Sequence, residues 1–449
     1  MVGTPETRYA KTVDGVHIAY KVVGDGPLDM VLSTWAMNID YAWRWERSAA
    51  ALQRLASFSR LLHFDRRGTG TSDHIVDRSR QQSLEARMDD IRAVMDAASS
   101  ERAVLVGFED GFSLAAMFAA TFPERTIALA GWSATARTLW APDYPWGMSE
   151  SAYDQEIREI EKRWGTPELA REWAGYVIPD AVDDEVRVRQ FSDWMRSIGG
   201  PGDAVALYEV DRETDIRDIL PTIRVPTLIV HRADDRSYAI GHGTYVAERI
   251  PGARFVELAG NVHGWVESDD LIDEIERFVR ELHREEAEFD RVLATVLFTD
   301  IVGSTQKATA AGDRGWKQLL ERHHGVVRGL LARYRGQEVD TVGDGFFATF
   351  DGPARAVRCA QAIAEAVKPL GIEIRAGCHT GEVQTIDGKI GGIAVSIGAR
   401  VGALAGSSEV LVSSTVKDLV AGSGLVFEDA GEHELKGVPD RWRLYRVAG

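Results

Sequence analysis

Short apolar strands alternate with helical patterns through most of the first 290 residues. Strands are predicted over 30–32, 61–64, 103–106 and 227–231, with helical patterns between them. Such an alternation is typical of a parallel, doubly wound sheet. It constrains the first part of the chain to the α/β class. A helical stretch rich in Trp and Tyr, at about 137–222, interrupts the pattern.

The charge of the chain divides near the point where this pattern ends. The whole net charge of −17 lies in residues 1–291, because residues 292–449 hold equal numbers of acidic and basic side chains. A chain of 449 residues is also too long for one ordinary core. We therefore predict two domains, 1–283 and 292–449, joined by a charged helical linker over 284–291.

Composition excludes several classes of protein. An acidic chain lacks the clustered positive charge that nucleic-acid binding requires, and no apolar run is long enough to span a bilayer. The first residues carry no apolar signal segment. Only Cys359 and Cys378 occur, too few for a disulfide framework. A protein of the cytoplasm, without membrane or nucleic-acid partners, is expected.

Two carboxylates in the second part adjoin apolar runs. Asp300 follows one such run, and Asp344 lies between two glycines just before another. An ionised carboxylate beside a core is costly without a compensating cation, and Mg²⁺ or Mn²⁺ suits one or two carboxylates plus phosphate oxygens. After Asp300 the chain turns through Gly303, Ser304 and Thr305, whose backbone N–H groups would face a polyphosphate at a helix start. The stretch predicts a nucleotide–metal site.

The remaining pattern of the second part is that of an α+β domain with a mainly antiparallel sheet. Strands are predicted over 295–299, 337–342, 346–350, 373–379 and 382–386, and helices over about 316–335, 353–367 and 392–404, before a hairpin-like region that ends at Tyr445.

Ordered features of residues 9–283 resemble the α/β-hydrolase fold with a helical cap. The loop at 65–73 matches that of the family, and Gly107 and Gly111 stand where its nucleophile elbow requires small residues. Asp235 and His263 match the acid and the base of its catalytic triad. The resemblance implies a doubly wound sheet whose cap is the stretch at about 137–222.

The nucleophile position departs from that family. Glu109 stands where Ser is expected, and a carboxylate is not activated by losing a proton to His263. The His-Gly expected after the strand at 30–32 is replaced by Ser-Thr-Trp. Three interpretations of Glu109 remain: a retired hydrolase kept as a ligand sensor or scaffold, carboxylate chemistry of an esterase or epoxide-hydrolase type, or a structural role. Asp235 and His263 are then either functional or a buried hydrogen-bonded remnant.

Several aromatic residues of the helical stretch either line a pocket for a small apolar ligand or form the core of the cap. They are Trp140, Trp146, Trp164, Trp173 and Trp194.

Five segments of the second part occur in the order seen in class III nucleotidyl cyclases, which this part resembles. The segments are 298–304, 342–345, 375–381, 392–400 and 435–437. The resemblance implies attack of the ribose 3′-oxygen on the α-phosphorus of a nucleoside triphosphate, with release of pyrophosphate. It also implies a head-to-tail homodimer, since the site of this family forms between two catalytic domains.

The same resemblance implies roles for individual residues. Asp300, Asp344 and the backbone of Ile301 would hold two divalent metal ions, Mg²⁺ or Mn²⁺. Arg400 would stabilise the transition-state charge, and Ser396 replaces the Asn that is common four residues earlier. Arg375 and Lys436 would hold the triphosphate.

The base-reading positions depart from adenylyl cyclases, which usually have Lys and Asp there. This chain has Asp340 and Lys389, so the charges are exchanged. Asp340 would accept from guanine N1 and N2 while Lys389 donates to O6, or the two side chains would pair and read the base loosely. ATP is the preferred prediction and GTP its rival. A non-catalytic sensor or scaffold is the alternative from another class.

Overall fold

The structure is a computed structural model that describes residues 4–74, 84–289, 291–386 and 389–448. Its internal contacts divide the chain into two compact units, Met1–His283 and Arg284–Gly449. None of the described helices has the length and apolar composition needed to cross a bilayer.

The first unit is built on one mixed sheet. Its strands are β1 (Arg8–Lys11), β2 (His17–Val23), β3 (Asp29–Ser33), β4 (Arg60–Phe64), β5 (Ala103–Phe108), β6 (Thr126–Trp132), β7 (Thr227–Arg232) and β8 (Arg254–Leu258). They lie in the order β1-β2-β4-β3-β5-β6-β7-β8. Strands β3 to β8 are parallel, whereas β1 and β2 pair in antiparallel fashion. The predicted doubly wound α/β fold is confirmed.

Helices cover both faces of this sheet. The described helices of this unit, including those of the cap, are α1 (Ile39–Arg44), α2 (Glu46–Ala56), α3 (Leu84–Ala97), α4 (Asp110–Thr121), α5 (Glu150–Arg163), α6 (Pro167–Val177), α7 (Glu185–Ile198), α8 (Pro201–Glu213), α9 (Gly241–Arg249) and α10 (Asp269–Phe289). Successive strand residues enter opposite cores: Val104 packs in one and Leu105 in the other. Burial on both faces explains why these strands are continuous apolar runs.

Helices α5 to α8 form the cap, with a core of its own. Trp164, Trp173 and Trp194 pack in or against this core. Trp140 and Trp146 lie outside it, and they are 51% and 39% exposed. The prediction that all five aromatics share one pocket or core is therefore wrong, because Trp146 packs instead against Tyr144 and Tyr245, outside the cap core.

The second unit contains a second sheet. Its strands are β9 (Arg291–Ile301), β10 (Gln337–Val342), β11 (Gly345–Phe350), β12 (Ile374–Ile386), β13 (Lys389–Gly391), β14 (Val410–Ser413), β15 (Phe427–Glu434) and β16 (Arg441–Val447). The order is β10-β11-β9-β12-β14-β16-β15, with β13 paired to β12. The pair β12–β14 is parallel and the other described pairs are antiparallel. The predicted α+β fold is confirmed. Its helices are α11 (Ser304–Tyr334), α12 (Pro353–Ala366), α13 (Ile393–Leu404) and α14 (Ser414–Leu419).

Two elements differ from the prediction. Strand β12 is continuous over the region where two strands were expected, and Gly381 lies inside it rather than in a turn. A Cβ at Gly381 would lie 2.9 Å from that of Ala394, so the glycine permits close packing of α13. Helix α11 begins at Ser304 instead of near residue 316, with a local break at Gly312, where φ is 66°.

Candidate active site

Asp300 and Asp344 are brought together by the pairing of β9 and β11. Asp300 lies near the end of β9, and Asp344 lies in the tight turn between β10 and β11. The Oδ2 atom of Asp344 accepts a hydrogen bond from the N–H of Ile301 at 3.0 Å. Partial burial and the neighbouring carboxyl of Asp300 raise the pKa of Asp344. Two carboxyl groups this close favour a cation between them.

Arg375 supplies positive charge to this pair. It lies opposite Asp300 in the pairing of β9 and β12. Its Nη2 and Nε atoms donate to Oδ2 of Asp300 at 2.5 and 3.1 Å. The guanidinium thus binds a carboxylate oxygen that is also the predicted metal ligand.

A cavity of about 370 Å³ opens beside Asp300. Gly303 caps α11 in the left-handed conformation, with φ of 68°, and the first turn of that helix borders the cavity. The first N–H groups of a helix have no intrahelical acceptor and suit an anion. The lining comprises residues 300–306, Arg375 and residues 405–407.

Residues 405–407 were missed by the sequence analysis. They follow the end of α13. They carry no motif, so no signal in the sequence marked them.

Arg400 and Ser396 form a separate group on α13. Both are exposed and lie one helical turn apart. Nε of Arg400 donates to the backbone carbonyl of Lys436 at 3.1 Å. Within the described part of the chain, no hydrogen bond or ion pair joins Arg400 or Ser396 to Asp300 or Asp344. The predicted cyclase residues therefore form two separate groups, one at Asp300 and Asp344 and the other at Ser396 and Arg400.

The predicted base-reading pair is described only in part. Asp340 is exposed on β10, and its Oδ1 accepts from the N–H of Thr341 at 2.8 Å. It lies opposite Phe347, which stacks on Phe298 at 4.5 Å between ring centroids. Lys389 begins β13, but its side chain lies outside the described part of the chain.

Glu109 occupies a sharp turn between β5 and α4. Its φ and ψ are 54° and −121°, a backbone conformation that residues other than Gly rarely adopt. A Cβ at Gly107 would lie 2.3 Å from Cα of Phe112, and one at Gly111 would lie 2.3 Å from the carbonyl oxygen of Ser33. The tight approach of strand, helix and neighbouring loop explains the two glycines and is the geometry of a nucleophile elbow.

The three predicted hydrolase residues are joined by hydrogen bonds. Nε2 of His263 lies 2.6 Å from Oε1 of Glu109, and Nδ1 lies 2.8 Å from Oδ2 of Asp235. Asp235 also accepts from Ser133 Oγ and from the N–H of Ser237. The ring of His263 stacks on that of Tyr238. The order of partners is that of a catalytic triad with Glu in the place of Ser.

The electrostatics of this triad favour a charged imidazole. Burial opposes the charged form of His263, but the charge of Glu109 and the hydrogen bonds to Asp235 and Glu109 outweigh it and raise its pKa to about 10. Burial likewise opposes ionised Asp235, yet the bond to His263 lowers the pKa of that carboxyl. At neutral pH, His263 therefore donates to both carboxylates.

A buried charged cluster next to the elbow was missed from the sequence. Asp110 accepts from Arg66 at 2.7 Å, and Asp211 of the cap accepts from Trp35 Nε1 at 2.6 Å. Burial and the neighbouring Asp110 raise the pKa of Asp211 well above its usual range. Arg66 could have been found from the sequence because it lies in the 65–73 loop that matches the family. Asp211 could not, because it lies in a cap helix that carries no motif.

The donor set at Asp300 and Asp344 fits a hard divalent cation. Within the described residues, no group of three or more His, Cys, Asp or Glu side chains forms a metal site. Two carboxylates with further oxygens from substrate phosphate are the ligands that Mg²⁺ commonly uses.

Family models match both units. The model for the alpha/beta hydrolase fold matches residues 30–266, and that for the adenylate and guanylate cyclase catalytic domain matches residues 285–449. The chain belongs to the α/β-hydrolase family and carries a class III cyclase catalytic domain. Both resemblances drawn from the sequence are confirmed. The two units are called the hydrolase unit and the cyclase unit below.

Individual relatives resemble one unit each. The hydrolase unit is similar to the bifunctional esterase/perhydrolase DCH of Acinetobacter calcoaceticus, with 27% identity over 61% of this chain and 99% of the relative. The cyclase unit is similar to putative adenylate cyclase 3 of Rhizobium meliloti, with 28% identity over 33% of this chain and 27% of that protein. A hydrolase structure from Pseudomonas aeruginosa PA01 shares the fold of the hydrolase unit, with 24% identity and a TM-score of 0.51 over 63% of this chain and 99% of its own.

Proposed function

We propose that the chain is a nucleotidyl cyclase of the cytoplasm that converts ATP to cyclic AMP and pyrophosphate. The observation that carries this proposal is the Asp300–Asp344 pair, of which Asp300 lines a cavity of about 370 Å³ bordered by a helix N-terminus. The cavity combines a site for a divalent cation with donors for phosphate oxygens. A cyclase needs both, since its substrate carries a polyphosphate.

Asp300, Asp344 and the backbone carbonyl of Ile301 would hold two divalent ions, Mg²⁺ or Mn²⁺. When bound, such ions supply charge neutralisation at the phosphates and lower the pKa of the attacking 3′-hydroxyl. Arg375 lies beside Asp300 and reaches the same cavity, so it donates to the triphosphate. Ser304 and Thr305 direct backbone N–H groups of the first helical turn to the phosphates.

A second copy of the chain completes the site. Arg400, Ser396 and Lys436 are the remaining phosphate-directed residues, and Arg400 contacts Lys436 rather than the aspartates. In a head-to-tail homodimer, Arg400 of each chain stabilises the charge that develops on the α-phosphate held by its partner, while Ser396 donates one hydrogen bond.

The base specificity rests on Asp340 and Lys389. We assign ATP as the substrate, with GTP as the alternative that the exchanged charges favour. Asp340 is exposed, and its Oδ1 accepts from the N–H of Thr341. Its Oδ2 can therefore accept from an N–H donor of the nucleobase. A carboxylate accepts from guanine N1 and N2 or from adenine N6.

The hydrolase unit serves this cyclase as a regulatory domain. It retains a formed elbow and a hydrogen-bonded triad but presents Glu109 in the place of the nucleophile. Such a unit suits ligand sensing. In the alternative of a sensor without catalysis, nucleotides bind to the cyclase unit but are not turned over.

Cyclic nucleotide production by the purified full-length chain tests the proposal. ATP and GTP are compared with Mn²⁺ and with Mg²⁺, and cyclic nucleotide and pyrophosphate are measured together. We expect equal amounts of cyclic AMP and pyrophosphate, and a loss of at least about 100-fold in Asp344→Ala, since a group that stabilises developing charge is commonly worth that factor. Asp418→Ala, on exposed α14, is the matched control. Binding of both nucleotides without turnover would establish the sensor instead, and unchanged activity in Asp344→Ala would contradict the metal assignment.

A further inference from the structure

In the cyclase unit, a histidine of α11 reaches the turn that carries Asp344. Nε2 of His324 lies 3.0 Å from the carbonyl oxygen of Gly343, which is in the turn between β10 and β11. A carbonyl oxygen only accepts, so the ring nitrogen that faces it is protonated and donates. The bond therefore joins α11 to the residue immediately before Asp344.

The ring of His324 is held in place for this bond. It lies edge to face against Phe346 of β11, with 5.1 Å between the ring centroids and 88° between the planes. Arg328, one helical turn further on, donates from Nε and Nη2 to the two carboxylate oxygens of Glu338 on β10, each at 2.8 Å. Helix α11 thus contacts both strands of the hairpin as well as its turn. An imidazole that is already ordered loses little side-chain entropy when it donates.

The backbone of the turn is not fixed by packing at Gly343. This glycine has a φ of 62°, and a Cβ added to it would meet no described atom within 4 Å. Glycine also adopts more backbone conformations than other residues do. The bond from His324 restricts this freedom, because the carbonyl of Gly343 and the N–H of Asp344 belong to one planar peptide group.

The orientation of that peptide group sets the direction in which the side chain of Asp344 leaves the turn. The carboxylate is held from the other side by the N–H of Ile301, which donates to Oδ2 at 3.0 Å. One contact thus holds the backbone before Asp344, and the other holds its side chain. Groups that are ordered before a ligand binds do not lose that freedom on binding, and the affinity is higher for it.

We propose that His324 is a positioning residue of the divalent-cation site, because its Nε2–H fixes the Gly343–Asp344 peptide and thereby the carboxylate of Asp344. This inference rests on the metal-binding role proposed for Asp300 and Asp344. It extends that role to a residue of α11 that acts through the backbone.

Binding of Mn²⁺ alone to the purified full chain tests the proposal without relying on turnover. The electron paramagnetic resonance signal of free Mn²⁺ is followed during a titration, and the part of the binding that is lost in Asp344→Ala defines the site. His324→Phe keeps a ring against Phe346 but has no donor. We expect it to weaken this binding about tenfold, as is common for residues that orient metal ligands. His324→Gln retains an N–H donor and should recover most of the affinity.

His433→Phe is the matched control. Nε2 of His433 lies 2.9 Å from the carbonyl oxygen of Ala430, so the control removes the same kind of bond. Its strand β15 lies at the edge of the sheet opposite to β10, and Mn²⁺ binding should be unchanged. Circular dichroism establishes that each variant is folded. If His324→Phe is unfolded, His324→Leu takes its place with the same expected result, because Leu lacks a donor and favours helices.

Two results would overturn the proposal. One is a folded donor-free variant at position 324 that binds Mn²⁺ as tightly as the parent chain. The other is equal weakening in His324→Gln and the donor-free variant, because the loss would then not follow the hydrogen bond.

Cyclic nucleotide production is measured on the same preparations. A parent chain that binds Mn²⁺ through Asp344 but makes no cyclic nucleotide contradicts the proposed reaction, while the His324 variants still decide the present proposal. A parent chain without binding that depends on Asp344 contradicts the metal assignment and this inference together.

Discussion

His263 is held between two carboxylates in the interior of the hydrolase unit. Its pKa in the folded chain, about 10, lies above the ordinary value of 6.5. The folded state therefore binds a proton more tightly than the unfolded state. The stability from this pairing is present in full below pH 6.5 and is lost as the pH rises through the folded pKa.

We predict that the free energy of unfolding of the hydrolase unit falls between pH 6.5 and 10, by up to about 1.4 kcal/mol per pH unit for one proton. Glu109→Gln removes the main charge that raises the pKa of His263 and should flatten this slope. His17→Gln, which removes an exposed histidine paired with Asp73, should leave it unchanged. Urea unfolding followed across the pH range is the measurement. Equal slopes in the parent and Glu109→Gln would contradict a protonated His263.

Asp340 gives a second prediction at the residue scale. Its exposed carboxylate accepts donors, and guanine offers two donors on the edge where adenine offers one. Asp340→Ala should lower kcat/KM for GTP about tenfold more than for ATP, the size expected for one lost hydrogen bond in a specificity site. The measurement is the ratio of the two rates, with Asp351→Ala as an exposed acidic control. An unchanged ratio would show that Asp340 does not contact the base.

Glycines fix the position of α13 on the sheet of the cyclase unit. A Cβ at Gly377 of β12 would lie 2.1 Å from the N atom of Gly402, and one at Gly398 would lie 2.4 Å from Cγ2 of Val296. At Gly377 and Gly402 the strand and the helix therefore meet through backbone atoms, and at Gly398 the helix backbone lies against the side chain of Val296. Because α13 carries Ser396 and Arg400, this packing sets where those side chains emerge.

Gly377→Ala should displace α13. We expect the free energy of unfolding to fall by about 1–3 kcal/mol, as for other overpacked cores, and cyclase turnover to fall with it. Gly329→Ala, on α11, meets nothing within 4 Å and is the matched control. It should be neutral or stabilise by less than about 1 kcal/mol. Thermal unfolding and turnover are measured on both variants. A stable and fully active Gly377→Ala would contradict the role assigned to the glycine contact.

Two further glycines show how far the sequence predicts the structure at the element scale. Alternating strands and helices predicted the doubly wound sheet, since that pattern reports burial on both faces. The predicted gap between the strands at 373–379 and 382–386 and the predicted helix start near residue 316, in contrast, are wrong. Gly381 lies inside β12 because α13 packs against it, a tertiary contact that local sequence does not reveal. Gly312 only breaks α11 locally.

The candidate sites were predictable where a motif marks them. The flanking glycines of the elbow and the Asp-containing turns carry local signals, so Glu109, Asp300 and Asp344 were found. The direct contact between Arg375 and Asp300 depends on the register of β9 and β12, which only the structure gives. Asp211 lies in a cap helix, far from any motif, and its contact with Trp35 joins segments 176 residues apart.

At the scale of the whole molecule, we assign the cyclase reaction to two copies of the chain. Each copy presents an acidic edge at Asp300 and Asp344, the proposed metal ligands, and a separate exposed group at Ser396 and Arg400. In a head-to-tail dimer, each site takes one set from each chain. When one chain is defective only at Asp300 and its partner only at Arg400, one of the two sites of the dimer still combines an intact aspartate pair with an intact Arg400.

Mixing two inactive variants tests this claim most directly. The variants Asp300→Ala and Arg400→Ala are each expressed and purified alone, and they are also co-expressed in equal amounts and purified together. Cyclic nucleotide production by each preparation is compared with that of the parent chain. Random pairing should restore about a quarter of the parent activity, because half of the dimers are mixed and each mixed dimer has one intact site. Each variant alone should remain inactive. A mixture as inactive as its components, beside an active parent, would contradict a site shared between two chains.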